Sequence, residues 1–76
     1  MNNQRRKQIA DLEAKLEQIK EALEVIYDEE QEALENVPEK FQETDRHYEA
    51  QEKADILDEV AQEIEALIER LQEAAE

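Results

Sequence analysis

Apolar residues recur at alternating spacings of three and four through the first half of the chain, and this heptad repeat most limits the possible fold. The repeat comprises Ile9, Leu12, Leu16, Ile19, Leu23, Ile26, Glu30, Ala33 and Val37, with Glu30 as its one polar member. A second repeat comprises Ala50, Lys53, Leu57, Val60, Ile64, Leu67, Leu71 and Ala74. Such spacing places an apolar stripe on each of two α-helices. The sequence therefore predicts an all-α chain.

A single proline divides the two repeats. Pro38 lacks an N–H and disfavours helical backbone at Val37, so the first helix is predicted to end just before it. Pro38 suits the first position of a short helical turn, and Thr44 or Asp45 suits the N-cap of the second helix. We predict one helical-hairpin domain over 1–76, with helix one at about 3–36, a turn at 37–44 and helix two at about 45–75.

The two predicted helices match in length, at about 50 and 46 Å for the usual rise per residue. Matched lengths and a short connection predict an antiparallel, coiled-coil-like hairpin. Helix two carries further small and apolar residues beside its repeat, so its stripe is wider than one partner helix needs. We expect a homo-oligomer, namely a homodimeric four-helix bundle; the alternative is a monomeric hairpin with an over-broad apolar face. The predicted oligomer interface comprises Ala54, Leu57, Ala61, Ile64, Ile68 and Leu71.

Composition excludes several classes of protein. The chain has no Gly and no Cys, which removes phosphate-cradling glycine loops, disulfides and thiolate chemistry. Its 23 acidic and 9 basic residues leave a net charge of −14, which repels nucleic acid and anionic membranes. No apolar run is long enough for a membrane span or a signal-peptide core. We therefore expect a cytoplasmic protein that binds neither DNA, RNA nor membrane.

Catalytic and metal-binding patterns are weak. The chain has one His and no Ser or Cys, so the common nucleophile–base pairs are excluded. Di-metal sites of four-helix bundles use Glu-x-x-His, but the residue three positions before His47 is Thr44. Glu30, on the apolar repeat, is interpreted as a register-setting polar layer that meets Lys53 or its own copy. We expect no enzyme activity, no cofactor and no metal.

Acidic residues dominate the middle of both predicted helices. No base lies between Lys20 and Lys40, nor between Asp55 and Glu69. This acidic band is interpreted as a solvated surface or, alternatively, as an imitation of the DNA backbone that occupies a basic protein groove. A basic cluster, Arg5-Arg6-Lys7, opens helix one and is expected to pack near the acidic end of helix two.

The tip of the hairpin combines bases, aromatic rings and a helix N-terminus. Arg supplies a two-pronged phosphate contact, Tyr or His supplies a stacking face, and the N-terminal N–H groups favour an anion. The candidate ligand-binding residues are Lys40, Arg46, His47 and Tyr48. The alternative is that Phe41 and Tyr48 plug the end of the hairpin while Arg46 pairs with a nearby Glu.

The turn resembles an Asn-x-Pro-Glu-x-x-Gln-x-Ser/Thr-x-Arg pattern, with the matching residues Asn36, Pro38, Glu39, Gln42, Thr44 and Arg46. With the polar, basic start at 2–7 and the acidic stretch at 28–33, the chain resembles small helical-hairpin proteins of phages and prophages. The resemblance implies a phage origin, a bacterial host cell and a non-catalytic role. Proteins of this kind often act by binding a host molecule. Some sequester nucleotide-derived immune signals, and others mask a defence protein.

Together these features predict a homo-oligomeric binding protein, in counter-defence, that sequesters a nucleotide-like anionic host signal at the hairpin tip. Two alternatives remain open at this point. One is an acidic DNA mimic or masking inhibitor of a host defence protein. The other is a purely structural coiled-coil adaptor.

Overall fold

The computed structural model describes all 76 residues, in three helices. These are α1 at Asn3–Glu35, α2 at Glu39–Gln42 and α3 at Asp45–Ala75. The long helices α1 and α3 pack against each other in a body 59 Å long, 15 Å wide and 11 Å thick between Cα atoms. The predicted all-α helical hairpin is therefore confirmed.

Side-chain caps begin both long helices. Oδ1 of Asn2 accepts a hydrogen bond from the Arg5 N–H at 2.8 Å, and Oγ1 of Thr44 accepts one from the His47 N–H at 3.2 Å. Each cap satisfies an N–H group that has no partner within the first helical turn. Pro38 precedes α2 as its N-cap rather than forming its first residue.

The stripe of α1 that packs against α3 differs from the predicted repeat. Its apolar members are Ile9, Leu16, Leu23 and Leu34, and the side chains of Lys20 and Tyr27 complete the inward face as half-buried residues. The intervening repeat residues are about half exposed: Leu12, Ile19 and Ile26. The heptad is present, but only every second apolar position faces the neighbouring helix.

The inward stripe of α3 also requires a correction. Ala54, Ala61, Ile64 and Ile68 are buried against α1, and Leu57 and Leu71 are half-buried. All six were predicted to form the oligomer interface, yet the hairpin's own first helix already covers them. Conversely Lys53 and Leu67, members of the predicted intramolecular repeat, are exposed. The stripe that contains Ala54 and Ala61 faces α1 instead of the stripe that contains Lys53 and Leu67, because small Ala side chains let α1 approach α3 closely.

Burial within this single hairpin is limited. Only Leu34, Ala54, Ala61, Ile64 and Ile68 are buried, and no large side chain is fully enclosed. Two helices in contact cover one stripe of each and leave the remaining circumference in water. The hairpin therefore depends on a narrow line of apolar contacts.

Two polar contacts link the long helices. Lys20 donates a hydrogen bond to Oε2 of Glu65 at 2.7 Å, and Nε of Arg6 donates to the carbonyl oxygen of Ala75 at 2.9 Å. The second contact brings a cation to the negative end of the α3 dipole. Glu30, interpreted above as a polar layer, is exposed and forms no ion pair.

Candidate functional site

The connection between α1 and α3 is held by hydrogen bonds centred on Thr44. Its hydroxyl donates to the carbonyl oxygen of Phe41 at 2.8 Å while it accepts from the His47 N–H. The side-chain amide of Gln42 donates to the carbonyl oxygen of Val37 at 2.8 Å. These bonds fold α2 back across the end of the hairpin. They fix the positions of Phe41 and His47 relative to each other.

An open cleft of about 440 Å³ lies at this tip. Its polar lining consists of Thr44, Arg46 and His47, and its apolar lining consists of Leu34, Val37, Phe41 and Ala50. Arg46 is exposed, His47 is half-buried, and neither side chain forms an ion pair. The cleft thus combines an unpaired guanidinium and an imidazole with an apolar wall.

The structure brings together two of the four candidate ligand-binding residues. Arg46 and His47 line the cleft, whereas Lys40 lies in a separate polar depression beside Glu39 and Glu43. Lys40 Nζ stands 5.0 Å from the centre of the Phe41 ring, in a cation–π arrangement. The Phe41 ring therefore separates Lys40 from the cleft.

Tyr48, the fourth candidate, does not line the cleft, and its side chain is 54% exposed. Phe41 is 49% exposed, so the two rings do not form a closed plug at the end of the hairpin. Arg46 forms no ion pair with a neighbouring Glu. Of the two aromatic residues, Phe41 is the one available to a ligand in the cleft.

The apolar wall of the cleft was not among the predicted site residues. The sequence prediction places Leu34 within helix one and Val37 at the start of the turn, and both precede Pro38 by no more than four residues. An apolar pair before Pro38 and a ring at Phe41 after it was the signal available in the sequence. Folding at the proline brings both sides of the turn onto one cleft.

Almost none of the acidic side chains has a cationic partner. The chain has 23 acidic residues, and only Glu17 and Glu65 have a cationic nitrogen within 4.0 Å, in both cases that of Lys20. By sequence, the carboxylates of Glu35, Glu43, Asp45 and Glu49 each adjoin a residue that lines the cleft. The cleft thus offers one guanidinium, one imidazole and an apolar wall on a strongly negative body.

No group of three or more His, Asp or Glu side chains is arranged to hold a metal ion. None of the three helices combines the length and the apolarity needed to cross a bilayer. No protein-family model, curated protein or solved structure matches the chain.

Proposed function

We propose that this chain is a non-catalytic, homo-oligomeric binding protein that sequesters a nucleotide-like anion at the hairpin tip. The observation that carries the proposal is the cleft that joins Arg46 and His47 to an apolar wall. A nucleotide has the same two parts, an anionic phosphate and a flat, weakly polar base. Each part meets a matching side of the cleft.

The role of each residue follows from its chemistry. The planar guanidinium of Arg46 donates two parallel N–H bonds to phosphate oxygens, and His47 donates a further N–H. The base packs against the Phe41 ring, where stacking contributes about 1–3 kcal/mol per base. Lys40, 5.0 Å from the same ring, adds positive potential beside it.

The overall charge of −14 opposes binding of an anion, so the contacts within the cleft must outweigh the repulsion from the surrounding carboxylates. Screening favours this outcome, because charges more than about 8 Å apart are largely screened at physiological ionic strength. A phosphate in contact with Arg46 is much closer than that. We therefore expect affinity for an anion to rise with moderate salt, since the acidic band is screened before the contact pair is.

Calorimetric titration with a panel of mono-, di- and cyclic nucleotides tests the proposal. Arg46→Ala should weaken binding by roughly tenfold or more, because a hydrogen bond to a charged group contributes about 1.5–3 kcal/mol. Phe41→Leu should weaken it by removing the stacking face. Arg5→Ala is the matched control, since it removes the same charge at the opposite end of the hairpin and should leave affinity unchanged.

A panel in which no nucleotide binds below roughly millimolar concentration would reject the tip as a nucleotide site. In the phage setting that the turn pattern implies, the ligand is a nucleotide-derived signal of host defence. Binding of that signal by the protein would lower its free concentration without any chemical step.

A second candidate is favoured by the unpaired carboxylates. An acidic surface with almost no internal ion pairs resembles a nucleic-acid backbone in charge, and a basic groove of a host protein would fit it. Two results would distinguish this candidate. Its association with a basic protein should weaken strongly as salt is raised, and Arg46→Ala should leave that association intact. A chain that binds neither nucleotides nor a basic protein would be a structural adaptor.

A further inference from the structure

The two broad faces of the hairpin differ in polarity. The offsets on α1 are counted from the inward residues Ile9, Leu16 and Leu23. Three positions after them come Leu12, Ile19 and Ile26, whereas one position after the last two come Glu17 and Glu24. A helix advances 100° per residue, so these sets lie on opposite sides of the inward stripe. One face of α1 is therefore apolar and the other is acidic.

The same offsets apply to α3. Its residues three positions after the inward stripe are Val60, Leu67 and Ala74, and those one position after it are Asp58 and Glu65. In an antiparallel pair, equal offsets lie on the same side of the hairpin. The bond from Lys20 to Glu65, with Glu17 as its second carboxylate, marks the polar face and confirms this arrangement. The opposite side carries an apolar face, which Glu30 on α1 and Lys53 on α3 limit toward the tip.

This apolar face is exposed along its length. Leu12, Ile19, Ile26 and Leu67 are each about half exposed, Val60 is half-buried, and Ile56 lies exposed at its edge. Several large apolar residues aligned on one face of a small protein mark a binding surface rather than scattered surface residues.

We propose that the apolar face, formed by Leu12, Ile19, Ile26, Val60 and Leu67, packs against the same face of a second copy. The two hairpins are antiparallel, so that their tips lie at opposite ends of the dimer. The proposal rests on the self-association part of the proposed function and not on the tip ligand. It replaces the predicted interface of Ala54, Ala61, Ile64 and Ile68, which the hairpin itself buries.

The size of the hairpin fits this occupant. The broad side that carries the apolar face is 59 Å long and 15 Å wide between Cα atoms, and full overlap of two such sides covers about 1,800 Å² in total, which lies within the roughly 1,200–2,000 Å² of specific interfaces. A second copy also supplies a surface of the same length. The hairpin on its own buries only five residues, so a second layer supplies the core that it lacks.

Charges at the edge of the face select the orientation. Lys20 lies level with Glu65, so five residues further toward the open end Lys15 lies level with Arg70. A two-fold axis along the hairpin would set α1 of one copy over α3 of the other at the same level. Lys15 would then face Arg70 of the second copy, twice, and the two bases would repel.

A two-fold axis across the hairpin avoids this repulsion. It sets α1 over α1 in opposite directions, and the apolar residues Leu12, Ile19 and Ile26 are centred at Ile19. Those of α3, namely Val60, Leu67 and Ala74, are centred at Leu67, which the level of Lys20 and Glu65 aligns with nearly the same axis. Lys15 then lies level with Leu23 of the second copy, so the repulsion between Lys15 and Arg70 does not arise.

Sedimentation equilibrium of the full chain tests the face. The wild type should be a dimer at micromolar concentration, and Ile19→Glu should raise the dissociation constant by at least about tenfold, because each copy would bury an unpaired carboxylate. Val25→Glu is the matched control, because Val25 is on the same helix and 56% exposed but lies on its outer side. A wild-type monomer at 100 µM, or dissociation by Val25→Glu alone, would overturn the proposal.

Two further measurements test the orientation without disturbing the apolar face. Lys15→Glu should leave the dimer nearly unchanged, because Lys15 has no charged partner in this arrangement; the parallel arrangement predicts that Lys15→Glu tightens the dimer, because it pairs a carboxylate with Arg70 of the second copy. The chain has no Cys, so a spin label on Glu43→Cys reports the distance between tips. Labels separated by nearly the 59 Å length support the proposal, and labels within about 25 Å, the span of two adjacent hairpins, reject it.

Nucleotide titration separates this proposal from the tip site. A dimer of the expected orientation that binds no nucleotide supports the interface and rejects the ligand. A monomer that binds nucleotides does the reverse.

Discussion

Lys20 Nζ lies 2.7 Å from Oε2 of Glu65, and this is the one ion pair that joins α1 to α3. A second carboxylate, that of Glu17, lies 3.1 Å from the same nitrogen on α1. The side chain of Lys20 is only 17% exposed, so the ammonium group is held between the helices rather than in bulk water. The pair places residue 20 of α1 beside residue 65 of α3 and so defines the register between the two helices.

Glu65→Gln should lower the melting temperature, because it removes the interhelical charge partner of Lys20. Glu69→Gln, on the same helix and without a cation in reach, is the matched control and should leave the melting temperature unchanged or raise it by relieving repulsion. Thermal unfolding followed by circular dichroism measures both. Equal effects of the two variants would contradict a specific role for the pair.

Alkaline pH should weaken the hairpin through the same residue. Hydrogen bonds that Lys20 donates to Glu65 and then to Glu17 raise the pKa of Lys20 above its ordinary value of 10.5. A raised folded pKa stabilises the fold fully below the unfolded value, and this stabilisation is lost as pH rises through the folded value. Above about pH 10.5 the wild type should lose more stability than Lys20→Met does. Parallel stability curves for the two proteins in that range would contradict this linkage.

Thr44→Ala should destabilise the chain by about 0.5–2 kcal/mol, because it leaves the His47 N–H without its N-cap acceptor. Thr44→Ser keeps the hydroxyl and should retain most of the stability. Urea unfolding measures the difference. An alanine variant as stable as the serine variant would show that the cap is dispensable.

Ala61→Leu should destabilise the hairpin by about 1–3 kcal/mol, because a larger side chain at this buried position forces α1 and α3 apart. Ala66→Leu, at an exposed position of the same helix, is the control for the change in helix propensity and hydrophobicity. Urea unfolding again separates them. Similar stability of the two variants would argue against close packing at Ala61.

Arg6→Ala should increase fraying at the end of α3 by about 0.3–1 kcal/mol, because Arg6 donates to the Ala75 carbonyl at the negative end of that helix. Arg5→Ala removes an equal charge without this contact. Hydrogen exchange of the last turn of α3 distinguishes them. Equal exchange rates in the two variants would show that the contact has no effect in solution.

The sequence by itself determined the helical elements and the turn between them. Heptad spacing, strong helix formers and the absence of glycine leave no other regular structure, and Pro38 interrupts the helix because of its own backbone chemistry. The cap at Thr44 is equally local. Arg46 and His47 are candidate ligand residues from the sequence alone, because bases beside a turn are visible in it, and the structure places both on the tip cleft.

Only the tertiary structure decided which half of each apolar stripe faces the neighbouring helix. Residues 54, 61 and 68 and residues 53, 60 and 67 repeat with the same period and lie side by side on α3, so spacing alone does not rank them. The choice depends on how closely two helices approach, and Ala at 54 and 61 allows the closer contact. The apolar wall of the tip cleft was hidden for the same reason, since Leu34 and Phe41 meet only after the chain folds back at the proline.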